Sequence, residues 1–146
     1  MYSHLLVPID DTDLSIEVIG NAVGLARAVG ARITFFHAVA DPSHSIRSDA
    51  ELLRLTAHDD YAYAYAGKAR ELLAKAEAAA RACGVPCSSL QQPGDKPAAA
   101  IVEAARATGC DLIFMASHGH RGRLGMALAS ETLGVLMHAG LPVLVS

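Results

Sequence analysis

The sequence has no tryptophan, and only seven of its 146 residues are aromatic. A flavin site built on ring stacking is therefore not expected. Charged residues are scarce too, at 18%. An intrinsically disordered chain would be polar and highly charged, so that class is excluded. No run of 18 consecutive apolar residues occurs, which excludes a membrane-spanning helix by the usual length argument. The opening MYSHLLVPIDD has no basic segment and reaches acids early, so no signal peptide is expected. Cysteine is limited to Cys83, Cys87 and Cys110. The first two are spaced C-x3-C, which is neither a redox C-x-x-C nor half of a zinc site. An odd count fits a reducing compartment, and a cytoplasmic protein is expected. Three phosphate and hydrolase signatures are missing: G-x-G-x-x-G, G-x-x-x-x-G-K-[ST] and G-x-S-x-G.

What is present is apolar surface. Hydrophobic residues make up 52%, and alanine alone occurs 28 times. The length suits one domain spanning residues 1–146, large enough for a core without disulfide or metal staples. The net charge is -3 and the pI about 6.1. That argues against nucleic-acid binding, which favours basic faces. The charge is unevenly spread. Segment 117–125, SHGHRGRLG, carries Arg121 and Arg123 without an acid, so it holds +2 and the remainder -5. A small basic island in an acidic chain suits a small anionic ligand better than a polyanion.

Apolar runs alternate with helical patterns. Leu5 to Ile9 reads as a buried strand ended by Asp10-Asp11. A helix follows from about Asp13 to Val29, with Leu14, Val18, Ala22, Leu25 and Val29 on one face, Thr12 or Asp13 as cap and Gly30 as stop. Ile33 to Val39 is a strand rich in β-branched and aromatic residues. Residues 40–57 are the least regular, with a helical turn at AELLRL. A long Ala-rich helix runs from about Asp60 to Ala82 and is closed by Gly84. Val85 to Leu90 is a weaker strand. A helix over 96–108 ends at Gly109, and Asp111 to Ala116 is a strong strand. Ser130 is expected to start a last helix ending near His138, before a terminal strand, Leu141 to Val145. This alternation predicts an α/β fold, a five-stranded parallel open sheet with helices on both faces. In such sheets ligands bind beyond the C-terminal strand ends, so the loops near 10–13, 38–58, 91–96 and 116–130 matter most.

The fourth of these loops is the most informative. Gly119, Gly122 and Gly125 let main-chain amides approach a ligand closely. His118, His120, Arg121 and Arg123 supply donors and positive charge, and Ser130 is expected at a helix start that favours an anion. A phosphate cradle and a solvated loop before an ordinary capped helix both satisfy this pattern. Tyr61, Tyr63 and Tyr65 do not share one helical face, which argues against a nucleic-acid stacking stripe.

The whole chain resembles a single-domain universal stress protein. That family's nucleotide-binding members carry G-x2-G-x9-G-[ST] after the fourth strand. The same frame here reads Ala116-x2-Gly119-x9-Ala129-Ser130. VPIDDTDLS, FFHAVAD and MHAGLPVLVS resemble the family's first strand end, second strand end and closing segment. The similarity covers residues 2–146.

The resemblance implies a Rossmann-like, three-layer α/β/α fold of the adenine-nucleotide alpha-hydrolase type. It implies ATP or a related adenine nucleotide, with Mg2+ as an accompanying ion. Pro8, Ile9, Asp10 and Ala38 would line the adenosine pocket. Met115, Ala116, His118 and Gly119 would contact ribose and phosphates, and Ala129, Ser130, Glu131 and Thr132 would offer amides and hydroxyls to the phosphates. Arg121 would offset phosphate charge. Two motif glycines are replaced, by Ala116 and Ala129. Where φ must be positive, alanine costs on the order of 1 kcal/mol more than glycine, which weakens binding without abolishing it.

The expected function is stress-response signalling by nucleotide occupancy. A nucleotide-free, dimeric protein-interaction module is the alternative, and a slow ATPase with His118 as base is a weaker one. No catalytic or metal-ligating residue is assigned. Leu141 to Val145 would pair antiparallel in a homodimer, with Pro142 limiting the ladder, and an unidentified protein would be the downstream partner.

Overall fold

The computed structural model describes residues 2–10, 14–39, 58–93, 96–116 and 126–146. The elements are β1 (His4–Pro8), α1 (Leu14–Val29), β2 (Arg32–Val39), α2 (His58–Ala82), β3 (Cys87–Pro93), α3 (Pro97–Thr108), β4 (Leu112–Met115), α4 (Met126–His138) and β5 (Val143–Val145). The strands form one sheet in the order β3-β2-β1-β4-β5. Every pairing is parallel, including Pro8 with Phe36, Leu6 with Ile113 and Ile113 with Val143.

The strands are apolar on both faces because both faces are covered. Leu5, Val7, Ile33, Phe35, Leu112 and Phe114 face α1 and α2, where Val18, Ala22, Leu73 and Ala76 meet them. Leu6, Phe36, Ile113 and Met115 face α3 and α4, against Ile101, Val102, Ala105 and Val135. Adjacent residues of one strand thus fill opposite cores, as the two-residue strand period requires.

Helices stop where glycine allows it. Gly109 has φ +73° and sends its N–H back to the carbonyls of Ala105 and Arg106, closing α3 in a left-handed cap. Gly30, Gly84 and Gly140 hold similar positive φ. Four elements differ from the sequence reading by two residues or more, and one of them, β5, starts at Val143 instead of Leu141. α2 starts at His58. β3 starts at Cys87 and runs on to Pro93, because the Val85 N–H is taken by the carbonyl of Ala80, at 2.9 Å, in the turn that closes α2. α4 starts at Met126, so Ser130 lies one turn inside it and Glu131 in its second turn. Met126-Ala127-Leu128-Ala129 are strong helix formers and carry the helix back past the serine. The expected helical turn near residues 51–55 and the caps Thr12 and Asp13 lie outside the described residues, as do the side chains of Tyr61, Tyr63 and Tyr65.

The N-terminal end of the sheet carries a polar row beneath α3. His4 Nε2 lies 2.6 Å from Thr34 Oγ1, and Thr34 Oγ1 lies 3.2 Å from Ser88 Oγ, linking β1, β2 and β3. The Asp111 carboxylate accepts the N–H groups of Ser3, at 2.8 Å, and His4, at 3.0 Å. Cys83, Cys87 and Cys110 are free thiols. Burial pushes the Cys87 and Cys110 thiols up, so both remain protonated near neutrality. Among the described residues no helix is long and apolar enough to cross a membrane.

Candidate functional site

β1 is central, and the chain leaves it in two directions: β2 lies on one side and β4 on the other. This is the topological switch point of the sheet, the place beyond the C-terminal strand ends where open α/β sheets take their ligands. Pro8-Ile9-Asp10 from β1, Ala38 from β2 and Met115-Ala116 from β4 all stand at that end.

Ile9 extends the β1–β2 ladder by one bond, its N–H donating to Phe36 O at 2.8 Å. Its side chain is buried in the core beneath α1. The main chain of Phe36 therefore faces β1. Main-chain groups two residues apart on a strand point the same way, so the N–H and C=O of Ala38 also point to the β1 side. There they lie past the last β1–β2 pair, Pro8 with Phe36. Ala38 thus brings one main-chain donor and one acceptor to this end of the sheet.

Asp10 is held by a serine that the sequence reading missed. The buried Ser15 hydroxyl lies 2.8 Å from Asp10 O and 2.9 Å from Asp10 Oδ1, two alternative acceptors for its one proton. The same oxygen accepts the Asp10 N–H at 3.0 Å. The strand end is thus clasped to the first turn of α1. One signal was available: Ser15 is a small polar residue in helical register with Val18, Ile19 and Ala22 on the buried face.

On the β4 side, Met115 is buried and its carbonyl accepts the Ser146 N–H at 2.9 Å. Ala116 is half-buried, and its carbonyl accepts the Thr132 hydroxyl at 3.3 Å. Thr132 is itself buried, so this bond ties α4 to the end of β4. The Thr132 hydroxyl proton is directed at the protein. Because α4 begins at Met126, its first four N–H groups are those of residues 126–129. Ala129 supplies one of them, and Ser130 falls just beyond. His118, Gly119 and Arg121 lie outside the described residues, as do the side chains of Ser130 and Glu131. His37 is buried in β2.

The described residues at this end offer the main chain of Ala38 beside Pro8, while the Ile9 side chain belongs to the core. Among the described residues no group of three or more His, Cys, Asp or Glu side chains could hold a metal ion. Asp10 is the carboxylate these residues bring to this end of the sheet.

A model described as the universal stress protein family matches residues 1–146. No curated protein matches the chain. Solved structures do. A universal stress protein family member from Burkholderia pseudomallei is 26% identical, with 99% of this chain and 96% of that one covered at TM-score 0.71. A universal stress protein in complex with cAMP is 25% identical, with 99% and 97% covered at TM-score 0.70. UspA from Lactobacillus plantarum, 23% identical with 99% and 97% covered, superposes with TM-score 0.81 and shares the fold. With its five-stranded parallel sheet, its helices on both faces and the match over its whole length, the chain belongs to the universal stress protein family.

Proposed function

We propose that this chain is a cytoplasmic stress-response module that binds an adenine nucleotide in the crevice between the ends of β1, β2 and β4. The observation that carries the reading is the main chain of Ala38, turned to the β1 side past the end of the β1 ladder at the switch point. The structural neighbour in complex with cAMP supports the ligand class. The base would lie against Pro8, Ile9 and Ala38. Ribose and phosphates would extend over Met115 and Ala116 towards the start of α4, where the N–H groups of residues 126–129 favour an anion. His118, Gly119 and Arg121 would complete that end, with Ser130, Glu131 and Thr132 behind it. ATP, with or without Mg2+, and the monophosphates AMP and cAMP are the ligands to test. The reading assigns no catalytic residue. A second copy would pair along Leu141 to Val145, and nucleotide occupancy would alter the surface offered to a protein partner.

A nucleotide-free interaction module is the second reading. It is favoured by the Thr132 hydroxyl, which the Ala116 carbonyl already engages. Calorimetric titration separates the two. Binding of AMP, cAMP or ATP, weakened about tenfold or more by Gly119→Val and also weakened by Ser130→Ala, is expected. No heat and no thermal shift at millimolar nucleotide would sink the first reading.

A further inference from the structure

At the N-terminal end of the sheet a buried histidine keeps one idle nitrogen. His4 is 6% exposed and points from β1 to the α3 side, the same face as Leu6. Its Nε2 lies 2.6 Å from Thr34 Oγ1, whereas Nδ1 is buried and meets no hydrogen-bond partner. Thr34 is the hub of the cluster. Its Oγ1 lies 3.2 Å from Ser88 Oγ and within hydrogen-bond reach of the Cys110 thiol. Cys110 is buried too, in the corner that follows α3, with its Sγ 3.1 Å from Thr108 Oγ1. Thr108 Oγ1 donates to Ala104 O at 2.7 Å and the Cys110 N–H to Ala105 O at 3.0 Å, so the corner is tied to its own helix. Thr34 joins it to the strands.

A neutral histidine carries one N–H. On Nε2 it donates to Thr34 and leaves Nδ1 a bare acceptor. On Nδ1 it is a buried donor with no acceptor, the costlier orphan. The first tautomer is therefore the stable one, and the Thr34 proton passes on to Ser88 or Cys110. A second proton has one place to go, Nδ1. There it makes a buried N–H without an acceptor and a cation in an apolar setting. The groups around the ring do not relieve it. Arg32, opposite His4 in the β1–β2 register, adds a like charge. Asp111, just before β4, is an opposite charge, but its oxygens already take the N–H groups of Ser3 and His4 and the Ser3 hydroxyl. β3 brings the neutral Ser88, and on α3 Arg106 reaches away to the His138 carbonyl at 3.4 Å. Cys110 stays a neutral thiol, since burial pushes it up.

We infer that His4 is an acid-sensitive latch: a proton on Nδ1 draws water in beside the ring and frees the Thr108–Cys110 corner from the strands. Water in the open form gives the new N–H its acceptor, so acid favours opening. In the closed form burial, helped by Arg32, holds the ring below 6.5, whereas an open ring titrates near the ordinary value of about 6.5. The open form therefore takes the proton first, and opening grows as pH falls below about 6.5. The latch lies at the opposite end of the strands from Pro8, Asp10 and Ala38 and does not rest on the nucleotide reading.

Cys110 reports the opening, and the exposed Cys83 supplies the reference. The test is alkylation by N-ethylmaleimide at pH 7.5 and 5.5 in a Cys87→Ser chain, with both thiols quantified by peptide mass spectrometry. Dividing by the Cys83 rate cancels the loss of thiolate that acid imposes on any open thiol. The Cys110-to-Cys83 rate ratio is expected to rise about threefold or more on acidification, while circular dichroism shows the fold retained. His4→Gln keeps a donor for Thr34 and cannot titrate, so its ratio should not change with pH. Arg32→Gln alters an exposed position, removes the like charge and should shrink the rise. A wild-type ratio that stays flat would overturn the latch. An equal rise in the His4→Gln chain would overturn it as well, and so would cooperative loss of the circular dichroism signal over the same range, which would make the opening global. Should His4→Gln fail to fold, Arg32→Gln decides, and an undiminished rise there overturns the assignment to His4.

Discussion

Ser15 shows how much one hydroxyl can organise. It is buried in the first turn of α1 and reaches the main chain and the carboxylate of Asp10 at once. Asp10 is thereby fixed relative to Pro8 and Ile9, the residues proposed to meet the base. Ser15→Ala leaves the Asp10 N–H without this acceptor and removes one partner of its carboxylate. The expected cost is about 1–2 kcal/mol in urea unfolding, the usual effect of removing a buried capping hydroxyl. Nucleotide affinity should fall in the same variant, measured by calorimetry. Unchanged stability and affinity would mean that the clasp is incidental. The sequence pointed to Asp10 and passed over Ser15, because a serine one turn into a helix is read as tolerated filler unless its partner is seen.

Helix and strand identities were legible because the apolar periods are strong. Leu14, Val18, Ala22 and Leu25 mark α1, and the β2 run Ile33 to Val39 is β-branched and aromatic. Ends were harder to read. Ser130 is an attractive cap in isolation, but the four residues before it favour helix more strongly than the cap favours a start. The close meeting of α3 and α4 was not legible either, since Gly134 in a helical run looks like a weakness. In the structure it lets the two helices come close, with Ala98 as the opposing residue. Gly134→Leu must push these helices apart, an overpacking cost of about 1–3 kcal/mol. Gly134→Ala should cost less, since better helix propensity offsets part of the crowding. Thermal melts of both variants check the order; a leucine variant as stable as wild type would show that the helices part freely.

At the scale of the whole molecule, global stability should follow pH through the polar row at the N-terminal strand ends. Burial, helped by Arg32 and opposed by Asp111, holds His4 below the ordinary histidine value of 6.5. The unfolded chain then takes up the proton first, so stability declines as pH drops below about 6.5 and levels off below the folded value. For Asp111, burial works to raise the carboxyl, but hydrogen bonds from Ser3 and His4 outweigh it and hold it below 3.8. Its contribution is present above that value and is lost as pH falls through the folded one. Urea midpoints should therefore decrease in two steps on acidification. His4→Gln should flatten the first step, which begins below about pH 6.5; an unaltered slope would assign that step to another group. The fold class at this scale was readable from alternation alone; the strand order, and with it the switch point beside β1, was not. The segment 117–125 was readable only as a motif, because glycine spacing and charge name candidate residues and not how their backbone is arranged.

The strand order has a consequence for the timing of synthesis. β1 is made first and lies at the centre of the sheet, yet one of its two neighbours is β4, with Leu5 against Leu112 about a hundred residues later in the chain. Until that stretch leaves the ribosome, β1 can pair only with β2. Its other edge, carrying Leu5, Leu6 and Val7, stays open as a template for any passing strand. The nascent chain is therefore most exposed to aggregation in the interval between β2 and β4. The safest partner for that edge is the one supplied last by its own chain.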